Sequence, residues 1–465
     1  MTSTPTEILA AWVAGLGHAD VPPEVRESAR LRVLDTVGIC VAGRASDAGR
    51  AARAAVGEWG GRGAAMLIGE SVSVPAVSAA LANGTYAHSL EFDDTHLPSI
   101  VHPSAPMVPA LLAAAQAAGA SGTEFVTALV AAYEVNARLS MAQYDPDLRN
   151  SAFFEHGLHA TSIIGAVAAA AACARLRDLG PDGVADALSV ACSLGAGLIE
   201  ANRAGGNVKK LHGGWSAHCA VAAATLAAHG GTGPRTILEG RFGFFQAFCG
   251  DHWRPSELTE GLGSRWDTPG IFFKPYPCNH FTHTIVDAAI ALRNRGVRPD
   301  DIEGVRIGTA APSWRTIGDP IEEKRHPRSG YHGGFSAPWV FACAMVGGSG
   351  LGLSYSDFDD AYLAEPVRRS IAERCDVVID ERCTRIFPHQ FPSVVTVRLR
   401  DGREMTEEVL TNLGGPDRPL SREQLTSKLL ANAGEASDAI ASACFELDSL
   451  PSVDPVLKAT VSEQA

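Results

Sequence analysis

The sequence predicts a mainly α protein with an α+β part: a large all-helical domain joined to a smaller α+β lid domain. Three observations carry that prediction. From the N-terminus to about residue 250, apolar residues recur at spacings of three and four, the period of an amphipathic helix. After about residue 268, short runs of β-branched residues alternate with helical stretches, and Asp401-Gly402 supplies a hairpin signal. From Ser421 onward the helical period returns, so the tail is expected to rejoin the helical domain. The boundaries drawn on this basis are 1–268 with 406–465 for the helical domain and 269–405 for the α+β domain.

In chain order, Pro22 and Pro23 start a helix that runs to near Gly43, proline being tolerated in a first helical turn. The stretch Ala82 to Pro106, ANGTYAHSLEFDDTHLPSIVHPSAP, is expected to be a loop, because prolines at 98, 103 and 106 remove amide donors and restrict their predecessors. Ser104 to Ala120 and Ser121 to Leu139 follow as a helical pair, the second opening with the capping-box spacing Ser121 and Glu124. The Ala- and Gly-rich runs Thr161 to Ala174 and Ser216 to Ala228 can pack backbone against backbone, as in a tight bundle. Beyond them, Gly304 to Thr309, Cys375 to Ile379, Val394 to Leu399 and Glu404 to Leu410 read as strands, with helices at Thr282 to Arg295 and Phe335 to Gly347.

Composition excludes several function classes. A net charge of -13 opposes nucleic acid or anionic membrane as a main partner, since both reward spread positive charge. The longest apolar runs, such as Ile163 to Cys173, are too short to span a bilayer, and the N-terminus lacks the basic and apolar regions of a signal peptide. A cytoplasmic protein is expected. Ten cysteines are scattered without a CxxC pair or a Cys/His ladder, so the usual zinc and iron-sulfur spacings are missing. Most are expected to be reduced core residues, with Cys278 kept open for a chemical role.

The chemistry concentrates in a few stretches. Glu91, Asp93, Asp94, His96 and His102 fall within twelve positions, either as a site or, for Asp93, Asp94 and Ser104, as helix caps. Of 39 basic residues only six are lysine, so each lysine is an unusual choice in this chain. A compact ammonium whose pKa moves on burial suits carboxylate binding and proton transfer. Three of the six lie in GGNVKKLHGG, residues 205–214, expected just before a helix start, and in FFKPYPCNHFTH, residues 272–283. Lys324 lies outside these motifs, and Lys324→Ala is expected to be nearly silent. His159 precedes a long apolar helix, as a cap or as a catalyst.

Taken in series, EFDDTH (91–96), HPSAP (102–106), GLHAT (157–161), VKKLHGG (208–214), TGPRTILEGRFGFF (232–245) and KPYPCNHFTH (274–283) resemble the MmgE/PrpD family of dehydratases, decarboxylases and epimerases. The resemblance implies a helical domain built from both chain ends, an α+β lid, a homodimer, and catalysis with no cofactor or metal in a cleft between the domains. It implies His102, His159, Lys209 and Lys274 as catalytic residues. Glu91, Asp93, Thr95, Lys210, His212, Tyr276, His280 and His283 are expected to bind substrate. Two positions depart from the decarboxylase pattern: Asn279 stands where that enzyme has a histidine, and Trp339 where it has a tyrosine.

The activity so implied is that of a cofactor-independent lyase, first a dehydratase, acting on a small di- or tricarboxylate by proton abstraction next to a carboxylate. An isomerase or epimerase, a decarboxylase, and a non-catalytic carboxylate-binding dimer are the alternatives. His102 and His159 are the provisional proton-transfer pair; the competing assignment makes Lys209 the base and both histidines carboxylate ligands.

Overall fold

The computed structural model describes residues 3–147, 150–348 and 350–461. The chain divides into two units, one formed by residues up to Ile271 together with those from Asn432 onward, the other by Phe272–Ala431. The second crossing thus lies at 431/432, where the sequence reading puts it at 405/406. Arg418 accounts for part of the difference, since it ties the segment after the last strand to Asp287 at 3.0 Å, and Asn412 donates its amide to Gln390 at 2.8 Å.

The first unit is helical, and its centre is the helix Ala160–Leu176, in which every residue from Ala160 to Ala174 is buried. A helix apolar all round belongs inside, and its run of alanines lets neighbours approach closely. Around it pack Pro5–Gly15, Ser104–Ala118, Gly122–Ala142, Gly180–Leu194 and Val208–Ala228, and Pro23–Gly43 and Ala76–His88 pack on these in turn. Ala76–His88 and Val208–Ala228 meet backbone to backbone. A Cβ on Gly214 would lie 2.2 Å from the Leu81 carbonyl oxygen, and one on Gly84 would lie 2.8 Å from that of Gly213. The expected capping box is present: Ser121 Oγ accepts from Glu124 N at 3.2 Å, and Glu124 Oε2 accepts from Ser121 N at 2.7 Å.

The C-terminal segment closes this unit. Gly122 N donates to Leu450 O at 2.9 Å, Thr123 Oγ1 to Asp448 O at 2.6 Å, and Gly69 N to Thr460 Oγ1 at 2.8 Å. A return of the tail to the helical unit is therefore what the chain does.

The second unit holds a four-stranded sheet in the order Cys375–Ile379, Ile302–Thr309, Ser393–Leu399, Glu404–Val409. Its first pair is parallel, with Val305 opposite Cys375; the other pairs are antiparallel, with Val305 opposite Val397 and Thr396 opposite Thr406. Val395, Val397 and Leu399 alternate onto the face that buries the helices His283–Asn294 and Ala337–Val346. That period of two is why one face of the sheet forms a core.

Two local expectations are corrected. The stretch Ala82 to Pro106 is only partly a loop, because Ala76–His88 continues through its first seven residues before the chain leaves the helix at Ser89. The helix expected from Ser216 begins at Val208, so Lys209, Lys210 and His212 lie within its first turns rather than before it. All ten cysteines are free and buried, Cys278 included. No helix among the described residues is long and apolar enough to cross a membrane.

Candidate active site

In the first unit the site is assembled at the ends of four helices. Lys209, in the first turn of Val208–Ala228, donates from Nζ to Glu91 Oε1 at 2.5 Å, and both side chains are buried. Glu91 sits three residues past the end of Ala76–His88 with φ 52°, in the left-handed region that costs a non-glycine residue about 1–2 kcal/mol. That turn directs its carboxylate to the lysine. Residues in such a conformation persist where surrounding contacts determine them, and they cluster at functional sites.

Asp94 fixes the loop. Its carboxylate accepts from Ser104 N at 3.0 Å, Ser104 Oγ at 2.5 Å and Arg32 Nη1 at 3.0 Å, so it caps the helix Ser104–Ala118. Arg32 is itself buried and also donates to Thr268 O and Ile271 O, at 3.2 and 2.6 Å. The cap role that the sequence leaves open for Asp94 is the one observed. Asp93 instead accepts from His88 Nδ1 at 2.7 Å, both groups being buried.

Four imidazoles gather here. The ring centroids of His88 lie 5.8 Å from those of His102 and 5.5 Å from those of His159, and His159 lies 5.0 Å from His212. His102 Nδ1 is 2.8 Å from the Asp94 carbonyl oxygen. A carbonyl only accepts, so that nitrogen carries the hydrogen and Nε2 of the neutral ring holds the lone pair. Thr95 Oγ1 lies 3.2 Å from the same Nδ1, and Thr161 Oγ1 accepts from His102 N at 3.0 Å. His102 is half-buried, whereas His88, His159 and His212 are buried.

His159 Nδ1 and His212 Nδ1 are 2.9 Å apart, so one donates and the other accepts, and the two rings hold opposite tautomers. Burial holds the His159 imidazole well below its ordinary pKa, helped by positive charge on His88, Lys209, His212 and His102. Burial, with His88 and Lys209, lowers His212 to about 4. Both rings are therefore neutral at physiological pH, beside a lysine.

Lys210 is not brought to this cluster. Adjacent helical positions point about 100° apart, and Lys210 Nζ instead donates to Asp47 Oδ1 at 2.8 Å on the outer side. His96 also turns away, its Nδ1 2.7 Å from Ser99 Oγ, and burial lowers it to about 4.

The second unit has its own buried group. Lys274, His280 and His283 are all buried, with the two imidazole centroids 4.3 Å apart. His283 Nε2 donates to Cys278 O at 3.2 Å. Burial, then the positive charges of Lys274 and Lys428, hold His283 well below its ordinary range. Tyr276 donates its hydroxyl to Asp287 at 2.6 Å, and Asp287 is in turn 3.0 Å from Arg418, so that phenol is committed to a structural network. Asn279 caps the turn at His280–Thr282 by accepting from Phe281 N at 3.0 Å, and Trp339 is packed in the core of this unit. Lys324 Nζ donates to Thr316 O and Phe335 O at 2.6 and 3.1 Å.

The sequence reading missed two residues. His88 precedes Asp93 by five positions, but it is the last residue of a helix, and nothing in the linear pattern joins that helix end to the other histidines. Lys428 is buried, and its charge reaches His283. Applying the scarcity of lysine to every lysine, rather than to those inside motifs, would have found it. Among the described residues, no group of three or more His, Cys, Asp or Glu is arranged to hold a metal ion.

The chain is similar to known proteins over most of its length. The family model described as the MmgE/PrpD N-terminal domain matches residues 7–256, and that of the MmgE/PrpD C-terminal domain matches residues 276–446. A cis-aconitate decarboxylase of Aspergillus terreus is 28% identical over 482 aligned positions, covering 97% of this chain and 95% of the relative. The human cis-aconitate decarboxylase is 28% identical over 455 positions, covering 94% and 89%. A cis-aconitate decarboxylase-like protein, oryM, of Aspergillus oryzae is 26% identical over 444 positions, covering 91% and 89%.

Proposed function

The chain belongs to the MmgE/PrpD family of enzymes, and from that premise we propose that it is a lyase using its own side chains to dehydrate a small di- or tricarboxylate. The observation that carries this reading is the neutral, buried His159–His212 pair beside the Lys209–Glu91 ion pair. A proton next to a carboxylate leaves only if the carboxylate's growing negative charge meets a cation while a neutral base takes the proton. Lys209 supplies the cation, held in place by Glu91. His159, kept neutral, suits the base through Nε2 if its Nδ1–H is given to His212. His102 suits the acid, because its Nδ1–H is fixed on the Asp94 carbonyl and its Nε2 is left to carry the proton given to the leaving hydroxyl. In the second unit, Lys274, buried with the imidazoles of His280 and His283, is a cation suited to a carboxylate. The reading also carries the homodimeric state that the family resemblance implies.

A decarboxylase is the second reading, favoured by the names of the relatives. The departures at Asn279 and Trp339 weigh against it: one side chain is occupied as a cap, and the other is an indole, whose N–H is not an acid near neutral pH. Incubation with a panel of hydroxylated and unsaturated di- and tricarboxylates, followed by proton NMR, tests both. Dehydration consumes a carbinol signal and yields an olefinic one, decarboxylation yields a product one carbon shorter, and an unchanged spectrum across the panel contradicts the proposal.

A further inference from the structure

We infer that His88 is a proton relay that resets the site after each turnover, its ring oriented by Asp93 and its Nε2 passing a proton from His159 to His102. The inference rests on the lyase reading above and adds a residue to it. Each turnover leaves a proton on His159 and removes one from His102. His159 is buried, so the return path to solvent must run through a neighbour, and His88 is the imidazole whose ring centroid lies within 6 Å of both.

The chemistry of His88 fits that task. Asp93 Oδ2 accepts from Nδ1 at 2.7 Å, which fixes the tautomer and leaves Nε2 as the exchanging atom. Nε2 is buried and has no hydrogen-bond partner among the described residues. Leaving such an atom unpaired costs about 1–3 kcal/mol, which an apolar ring in the same space would not incur. The space itself is made by Gly213, where a Cβ would come within 2.8 Å of the His88 Cβ. When Nε2 accepts the proton from His159, the resulting imidazolium is paired with the Asp93 carboxylate; when the same proton leaves to His102, the neutral ring returns, so no charge accumulates. Positive charge on His88 also lowers the His159 pKa, in keeping with the closeness of the two rings.

The test separates relay from scaffold. His88→Asn retains a donor that can reach Asp93 and removes Nε2. With a substrate found by the panel, the variant is expected to form its first equivalent of product at the wild-type rate and then to slow at least tenfold, a burst that the wild type lacks. Asp93→Asn, nearly isosteric, should show the same burst, and serves if His88→Asn does not fold. A steady-state rate within about twofold of wild type, a first turnover slowed as much as the later ones, or failure of both variants to fold would overturn the relay alone. Wild-type inertness toward the whole panel would overturn the relay and the lyase reading together.

Discussion

At the scale of single residues, the Lys209–Glu91 pair separates stability from chemistry. Removing one partner of a buried ion pair leaves a stranded charge and costs about 3–5 kcal/mol, whereas replacing both by neutral groups is close to neutral. Lys209→Ala is therefore expected to lower both the melting temperature and turnover, the latter by at least about two orders of magnitude. The double variant Glu91→Gln with Lys209→Met should recover the melting temperature and remain inactive; recovered activity would remove Lys209 from the chemistry. Lys274→Ala is expected to lose turnover on the same scale, and Lys458→Ala, on an exposed side chain, serves as the control. Lys324→Ala should cost stability through its two carbonyl partners while leaving turnover per folded molecule unchanged.

Buried imidazoles also set a pH dependence. His96 and His212 are lowered to about 4, against about 6.5 in the unfolded chain. Below pH 6.5 the unfolded state takes up protons that the folded state refuses, so stability falls as pH drops from about 6.5 to about 4 and these two groups add no further slope below that. Each contributes up to about 3 kcal/mol over that window. Urea midpoints measured at pH 7, 6, 5 and 4 should fall in that order, and His96→Gln should flatten the trend; a midpoint unchanged between pH 7 and 5 would contradict the assignment.

At the scale of elements, the contact of Ala76–His88 with Val208–Ala228 sets His88 against Gly213, next to His212 in the chain. In an isolated helix, Gly→Ala is favourable by about 1 kcal/mol. Gly214→Ala should instead destabilise by about 1–3 kcal/mol, because its Cβ would lie 2.2 Å from the Leu81 carbonyl and 2.1 Å from Thr85 Oγ1. The sign of the change in melting temperature decides it. The same contact explains what the sequence hid. Helix periods, the Ser121 capping box and the Asp401-Gly402 hairpin are local signals, and each appears where local chemistry predicts. The helix Val208–Ala228 starts before Ser216 because Gly213 and Gly214, weak helix formers on their own, are here the surface on which another helix lies. The end of Ala76–His88 was missed because Pro98 and Pro103 outweighed the helical residues before them.

At the scale of the whole molecule, the first unit depends on residues more than 300 positions apart. Gly122 lies so close to Leu447 that an added Cβ would meet its carbonyl oxygen at 1.6 Å. Ending the chain at Ala431 removes the acceptors of Gly122 N and Thr123 Oγ1 and the Thr460 partner of Gly69. Such a truncation is expected to lose cooperative unfolding in the helical unit, and a retained sharp transition would show the tail to be dispensable. The return of the tail was legible as a helical period after Ser421. The partners it returns to were not, because long-range pairing leaves no local mark. The same limit hid His88: motifs revealed Glu91, His102, His159 and Lys209 one by one, while the cluster exists only once four helix ends meet.

The central claim is that this site moves a proton on a carbon next to a carboxylate, and hydrogen exchange at that carbon measures it without waiting for a product. The folded protein is incubated in heavy water with each carboxylate of the panel, and loss of carbon-bound proton signal is followed by NMR for wild type, His102→Gln and His159→Gln. Glutamine keeps a hydrogen bond but cannot carry the proton. Wild type should exchange one position of its substrate, and His159→Gln should slow that exchange at least about a hundredfold. Exchange at the wild-type rate in both histidine variants would show that neither ring is the carbon base, and wild-type protein that exchanges nothing would be a carboxylate binder rather than a lyase.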